Sequence, residues 1–260
     1  MTVALGLVCS DGVLVASDSM GSSDPVANVA RKVRVFGRTP AVWTAAGSVF
    51  VIEEVEAELQ RIDQSGTAEA PLKCFTEPDL TGIRGKLSPV MSKTMREAYG
   101  RALHVGPPEP GGMVRIPFAS DFLMLGYANG TPWFLEFAQD GQVNWHTDHG
   151  FYAVGSGGHF ATVARALMKH YTDRALPLEL GKLVAYRAID TTIEVSSAWV
   201  GGPVQVAVCD KDGARILASD EIEALREQVD RWKQLEVDTL RMSPEDAQAQ
   251  AAGDLPTMET

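Results

Sequence analysis

The sequence predicts an α+β fold built of segregated layers, and three observations predict it. β-rich runs come in groups, helix-period runs come mostly in pairs, and Asp11-Gly12, Asn129-Gly130 and Asp140-Gly141 sit between neighbouring β runs as hairpin turns. The order is therefore strands, two helices, strands, two helices, strand, helix. That order suits stacked layers rather than an alternating parallel sheet.

Each element has its own reason. Val3, Leu5, Leu7 and then Cys9 alternate onto one face of a first strand, and Asp11-Gly12 turns the chain into a second over residues 13–17. Residues 33–36 and 41–45 form a strand pair around Gly37-Arg38-Thr39-Pro40. Ile52, Val55, Leu59 and Ile62 keep helical spacing over 49–62, with acids on the other face. Residues 64–78 form a linker with Gly66, Pro71 and Pro78. A second helix over 80–103 carries Leu87, Met91, Met95 and Ala98 on one side, and 106–112 is a Pro/Gly loop. Strands return at 122–127, 133–137, 142–145 and 151–154. Helices follow at 159–171 and 178–194, then a strand at 204–209. A last helix starts at Ser219, where Asp220 and Glu221 favour its positive end. Its seam of Ile222, Leu225, Val229 and Trp232 is expected to pack on the domain or on a neighbouring subunit. The expected organisation is one domain over 2–218, the helix over 219–242 and a disordered polar tail over 243–260.

Composition narrows the function. With 260 residues, 45% of them hydrophobic, the chain is long enough for one large core. A net charge of −11 argues against nucleic acid and anionic membrane surfaces as partners. No apolar run spans a bilayer and no signal peptide opens the chain, so a cytoplasmic protein is expected. Cys9, Cys74 and Cys209 are scattered, which predicts neither disulfides nor zinc. His146-Thr147-Asp148-His149 lies in a loop without a third ligand in register, so no metal is expected there. No cofactor is called for.

Four segments carry a resemblance. Residues 2–18, from Thr2 to Asp18, resemble the opening of a mature β-type proteasome subunit, and Arg31-Lys32-Val33 resembles that family's catalytic-lysine segment. Ala45-Ala46-Gly47 resembles its oxyanion-hole turn. Gly155-Ser156-Gly157-Gly158 resembles its Gly-Ser-Gly loop at a strand-to-helix junction. They stand in the right order over roughly residues 2–210. The chain thus resembles proteasome-type N-terminal-nucleophile hydrolases, the bacterial HslV and Anbu types more than the archetypal proteasome. The resemblance implies a four-layer αββα sandwich.

It also implies a mechanism. Removal of Met1 would make Thr2 terminal, so that its own α-amine, with a pKa of about 7.7–8.0, can act as base toward its hydroxyl. The hairpin at Asp11-Gly12 is expected to bring residues 18–21 level with 2–5, placing Asp18 near Thr2. Lys32 would supply the cation that Asp18 holds, the Gly47 N–H would receive the oxyanion, and Ser156 would bind the amine and relay protons. The implied activity is that of a threonine peptidase acting on peptides inside a homo-oligomeric ring or spiral. The sequence identifies no ATPase unfoldase partner. A small-amide amidase or acyl-transferase and a silent scaffold subunit are the alternatives.

One region departs from the pattern. Archetypal subunits carry an Asp-x-x-Ser pair before a Gly-Gly turn, and alignment on Gly201-Gly202 places Ser197 and Val200 there. Asp190 or Glu194, on the preceding helix, are the candidates to compensate.

Overall fold

The structure, a computed structural model, describes residues 2–23, 26–65, 80–105, 119–128, 130–139, 141–168, 176–196 and 200–241. The expected loop over 106–112, the tail over 243–260 and nearly all of the expected linker lie outside these residues. Residues 64 and 65 of that linker belong instead to the first helix.

Five strands form one antiparallel sheet: β1 (Ala4–Val8), β2 (Gly12–Ser17), β10 (Phe151–Val154), β11 (Gln205–Asp210) and β12 (Gly213–Ile216), in the order β10-β1-β2-β11-β12. Five more form a second: β5 (Val33–Val35), β6 (Ala41–Ala46), β7 (Asp121–Ala128), β8 (Thr131–Phe137) and β9 (Val143–Trp145), in sequence order. A separate hairpin pairs β3 (Met20–Ser23) with β4 (Val26–Val29). The hairpin and β12 are not foreseen from the sequence; the other strands fall within a residue or two of their expected places.

Alternation along the strands builds the layers. On β1, Leu5 and Leu7 turn to the side where α3 (Gly158–Met168) and α4 (Leu178–Val195) bury Ala161, Val184 and Ile189. Ala4 turns the other way and joins Val15, Leu123, Leu125 and Phe134 between the two sheets. On β6 and β7, Trp43, Ala45, Phe122 and Met124 face α1 (Val49–Ser65) and α2 (Leu80–Val105). The expected stripes Val55, Leu59, Ile62 and Leu87, Met91, Met95, Ala98 fill this third core. The result is the αββα sandwich.

The inner layer is thin where β1 crosses β8. A Cβ added at Gly6 would stand 2.5 Å from Phe134 Cζ and 2.9 Å from Leu125 Cδ1. Because packed interiors resist added volume, Gly6→Ala should destabilise the protein by about 1–3 kcal/mol. Chemical denaturation would read this as a lowered midpoint; an unchanged midpoint would mean that the sheets yield freely here.

Two caps fix the outer helices. The Asp11 carboxylate accepts the Leu178 N–H at 2.7 Å, at the positive end of α4. Glu221 reaches back to the Ala218 N–H at 2.9 Å, at the start of α5 (Ser219–Arg241). The seam on α5 is covered within the chain: Leu225 and Val229 are buried in the helix-side core, and Ile222 and Trp232 pack against it. The domain-packing expectation for that face thus describes its buried half, while Ile222 and Trp232 stay partly exposed. Among the described residues, no helix is long and apolar enough to cross a membrane.

Candidate active site

The start of the chain is fastened by its neighbour. Ala4 faces Ser17 and Leu5 faces Ala16, so the register is offset from the expected alignment of 18–21 with 2–5. Asp18 still comes beside the first residues. Its N–H donates to Val3 O at 3.2 Å and its carboxylate accepts the Val3 N–H at 3.0 Å. Ser17 Oγ donates to the same Val3 carbonyl at 2.8 Å.

Asp18 is fully buried, and four donors compensate its charge. Val3 N–H and Lys32 Nζ (2.8 Å) bond Oδ1, while the Met20 and Gly201 N–H groups bond Oδ2 at 3.2 and 3.4 Å. Lys32 Nζ also donates to Thr2 Oγ1 at 3.0 Å. Burial lowers the Lys32 pKa; the charge and hydrogen bond of Asp18 oppose that shift without cancelling it. A cation less firmly protonated than usual thus stands against the Thr2 hydroxyl.

The lysine main chain is held as well. Its carbonyl accepts Thr44 Oγ1 at 2.9 Å and Arg34 Nη1 at 3.2 Å, and its N–H is bonded by Gln205. Arg34 in turn lies over the Trp43 ring and pairs with Glu56 on α1 at 2.7 Å.

Two glycines bring the remaining segments close. At Gly155 (φ +86°), an added Cβ would stand 2.2 Å from Thr2 O and 3.0 Å from Ala46 Cβ. The β10–α3 junction, Thr2 and the end of β6 are therefore in mutual contact. Gly47 follows Ala46 with φ +136°, where a Cβ would meet Ala119 O at 2.3 Å and Ser120 Oγ at 2.4 Å. Only glycine fits that turn. Ser120 Oγ accepts the Ser48 N–H at 3.0 Å, and Tyr99 Oη, from α2, accepts the Ser120 N–H at 2.6 Å. Ser156 Oγ lies 3.4 Å from Thr2 N and 3.5 Å from Thr2 O, and the Gly157 N–H donates to Thr2 O at 3.2 Å.

Thr2, Asp18, Lys32 and Ser156 therefore meet, with the Gly47 turn alongside. Thr44, Ser120 and Gln205 are the contributors the sequence does not announce, since each is a lone polar residue in or next to a strand without a motif, and Ser17 lies in the opening segment without being singled out there. Val200 is buried in the helix-side core, and Ser197 lies outside the described residues. Next to Val200, the Gly201 N–H, a main-chain group, bonds Asp18. Asp190 and Glu194 do not compensate: both pair with Lys233 of α5, on the outer side of α4. His146 bonds the buried Glu136 at 2.9 Å and stacks on Tyr152 with ring centres 3.9 Å apart. His159 is exposed on α3.

Comparison with known proteins bears on the fold. No family model matches the chain. The proteasome subunit beta of Methanocaldococcus fervens is 27% identical over 237 residues, covering 88% of this chain and 90% of the relative. That of Methanococcus aeolicus is 27% identical over 233 residues, covering 86% and 91%. Among solved structures, Anbu (ancestral beta-subunit) from Yersinia bercovieri superposes with TM-score 0.67 at 16% identity, covering 99% of this chain and all of that one. A Gly-1 mutant of Anbu from Hyphomicrobium sp. strain MC1 gives TM-score 0.64 at 18% identity, with full coverage of both chains. The fold is that of a proteasome-like N-terminal-nucleophile hydrolase. The chain is similar in sequence to proteasome β subunits over most of its length.

Proposed function

We propose that the protein is a threonine peptidase of the proteasome type, with Thr2 as nucleophile once Met1 is removed. The observation that carries this reading is the approach of Lys32 Nζ to Thr2 Oγ1 at 3.0 Å while the same ammonium is held by a buried carboxylate. A threonine hydroxyl needs a base, and the freed amine of Thr2 is one. The amine takes the Oγ1 proton, Oγ1 attacks the peptide carbonyl, and the Lys32 charge favours the forming alkoxide. The oxyanion lies toward the Gly47 N–H. Collapse breaks the C–N bond, the departing amine takes the proton from the Thr2 amine, and water then cleaves the Thr2 ester by the same route. Ser156 lies within reach of the Thr2 nitrogen and shares the proton transfer. The relatives are named as subunits, which supports self-association of this chain into a ring or spiral that confines the peptidase in the cytoplasm.

The decisive experiment is mass mapping after treatment with a panel of tripeptide vinyl sulfones of varied side chains. The purified protein should begin at Thr2 and carry the adduct on that residue. An active preparation that keeps Met1 throughout, or an adduct on another residue, overturns the reading, because a blocked nitrogen cannot serve as base.

A further inference from the structure

Lys32 Nζ is positioned by Asp18, but a lysine side chain has four rotatable bonds and is only as well placed as its own backbone. That backbone sits at a seam. Lys32 precedes the first paired residue of β5: the ladder to β6 begins at Val33, opposite Thr44. Asp18, its ion partner, follows the end of β2 in the other sheet. Placing Nζ on Thr2 therefore requires the two sheets to be fixed relative to one another at this one edge.

Gln205 spans that seam. It opens β11 and stands directly opposite Ser17, the residue before Asp18. Its side-chain carbonyl accepts the Lys32 N–H at 2.8 Å and, more weakly, the Val33 N–H at 3.4 Å. Its amide nitrogen donates to Ala30 O at 2.9 Å. One planar amide thus grips both sides of the lysine-bearing turn. The arrangement uses an acceptor and a donor on the same group, which a carboxylate lacks and an aliphatic side chain cannot imitate. The loop closes on itself: Lys32 is tied to Asp18 through its side chain and to Gln205 through its main chain, and Asp18 and Gln205 are tied to each other through the β2–β11 ladder.

We infer that Gln205 is a positioning residue for Lys32, setting the distance between its ammonium and the Thr2 hydroxyl without touching either reacting group. The inference rests on the proposed role of Thr2 and Lys32. It predicts that loss of the clamp slows the chemistry rather than substrate binding, since a displacement of about 1 Å at a reacting group costs on the order of a hundredfold.

The experiment measures the rate at which Thr2 is alkylated by a tripeptide vinyl sulfone, as a function of pH, in wild type, Gln205→Met, Lys32→Ala and the double variant. Gln205→Met removes both hydrogen bonds at nearly constant volume. It should label about ten- to a hundredfold more slowly at saturating reagent, with little change in the half-saturating concentration. The midpoint of the rise with pH should move upward, because a displaced ammonium no longer depresses the Thr2 amine pKa as strongly. In the Lys32→Ala background the same substitution should cost nothing further, because the residue it serves is gone. If Gln205→Met does not fold, Gln205→Asn takes its place: it keeps the amide but is one methylene too short to reach both partners, and the same three results are expected. Labelling of Gln205→Met at the wild-type rate and midpoint overturns the inference. So does a loss that adds in full to that of Lys32→Ala with an unmoved midpoint, which marks a general structural role. Failure of wild type to label on Thr2 would instead overturn the function on which the inference rests.

Discussion

Thr2→Ala is expected to reduce peptide hydrolysis at least about 10⁴-fold while leaving the fold intact, because groups that act as one catalytic unit fail together when the nucleophile is lost. The hydroxyl is bonded by Lys32 at 3.0 Å, and that lysine keeps its bond to Asp18 when the hydroxyl is gone. Val3, not Thr2, carries the main-chain bonds to Ser17 and Asp18, so the strand start remains fastened. The stability change should stay within the 0.5–1.5 kcal/mol or so of one hydrogen bond. Thr2→Ser keeps both the hydroxyl and the amine and should retain a measurable share of the rate. Initial rates on a fluorogenic peptide, beside thermal melts of the same preparations, check both halves. Wild-type turnover by Thr2→Ala would move the nucleophile elsewhere.

The parts of the site that local chemistry dictates were legible in the sequence. The β1–β2 hairpin follows from alternation and Asp11-Gly12. Gly47 and Gly155 stand where the chain passes closer to its neighbours than a side chain permits, and a residue beside such a glycine is drawn into the same contact. The helical stripes on α1 and α2 were readable because the period leaves one wide apolar face. What escaped either lacks a local signal or depends on partners distant in the chain. The β3–β4 hairpin is built from Gly21, Ser22 and Ser23 opposite Asn28, Ala27 and Val26, which show no apolar alternation. The face of α5 reads as an apolar seam, and no periodicity says whether its partner is α4 or another copy. Asp190 and Glu194 were equally ambiguous: a carboxylate on α4 faces inward or outward by helical phase, and Lys233 settles it outward. Gln205 gives no signal at all, since a single amide at a strand start has meaning only when the lysine segment is folded against it.

The same interdependence makes the pH profile the sharpest probe of the ion pair. Lys32→Ala should lower turnover by about two to four orders of magnitude. Asp18→Asn should be comparably damaging, because it leaves an ammonium in a site whose burial already pushes its pKa down. The two variants differ in direction. Activity should rise with pH as the Thr2 amine loses its proton, near or below its ordinary range of about 7.7–8.0, and fall again as Lys32 loses its own. Removing the Lys32 charge takes a cation away from the amine and leaves the Asp18 carboxylate, so the rising limb should move to higher pH. Removing the Asp18 charge takes an anion away from both cations, so both should release protons more readily and both limbs should move to lower pH. The falling limb should move most, since Asp18 is bonded directly to Lys32 at 2.8 Å. Profiles of kcat/KM for the two variants on one peptide, taken across the range where each remains folded by circular dichroism, decide the matter. Limbs that shift the same way in both, or do not shift at all, would mean that Lys32 and Asp18 hold the strand ends together without setting the charge at Thr2.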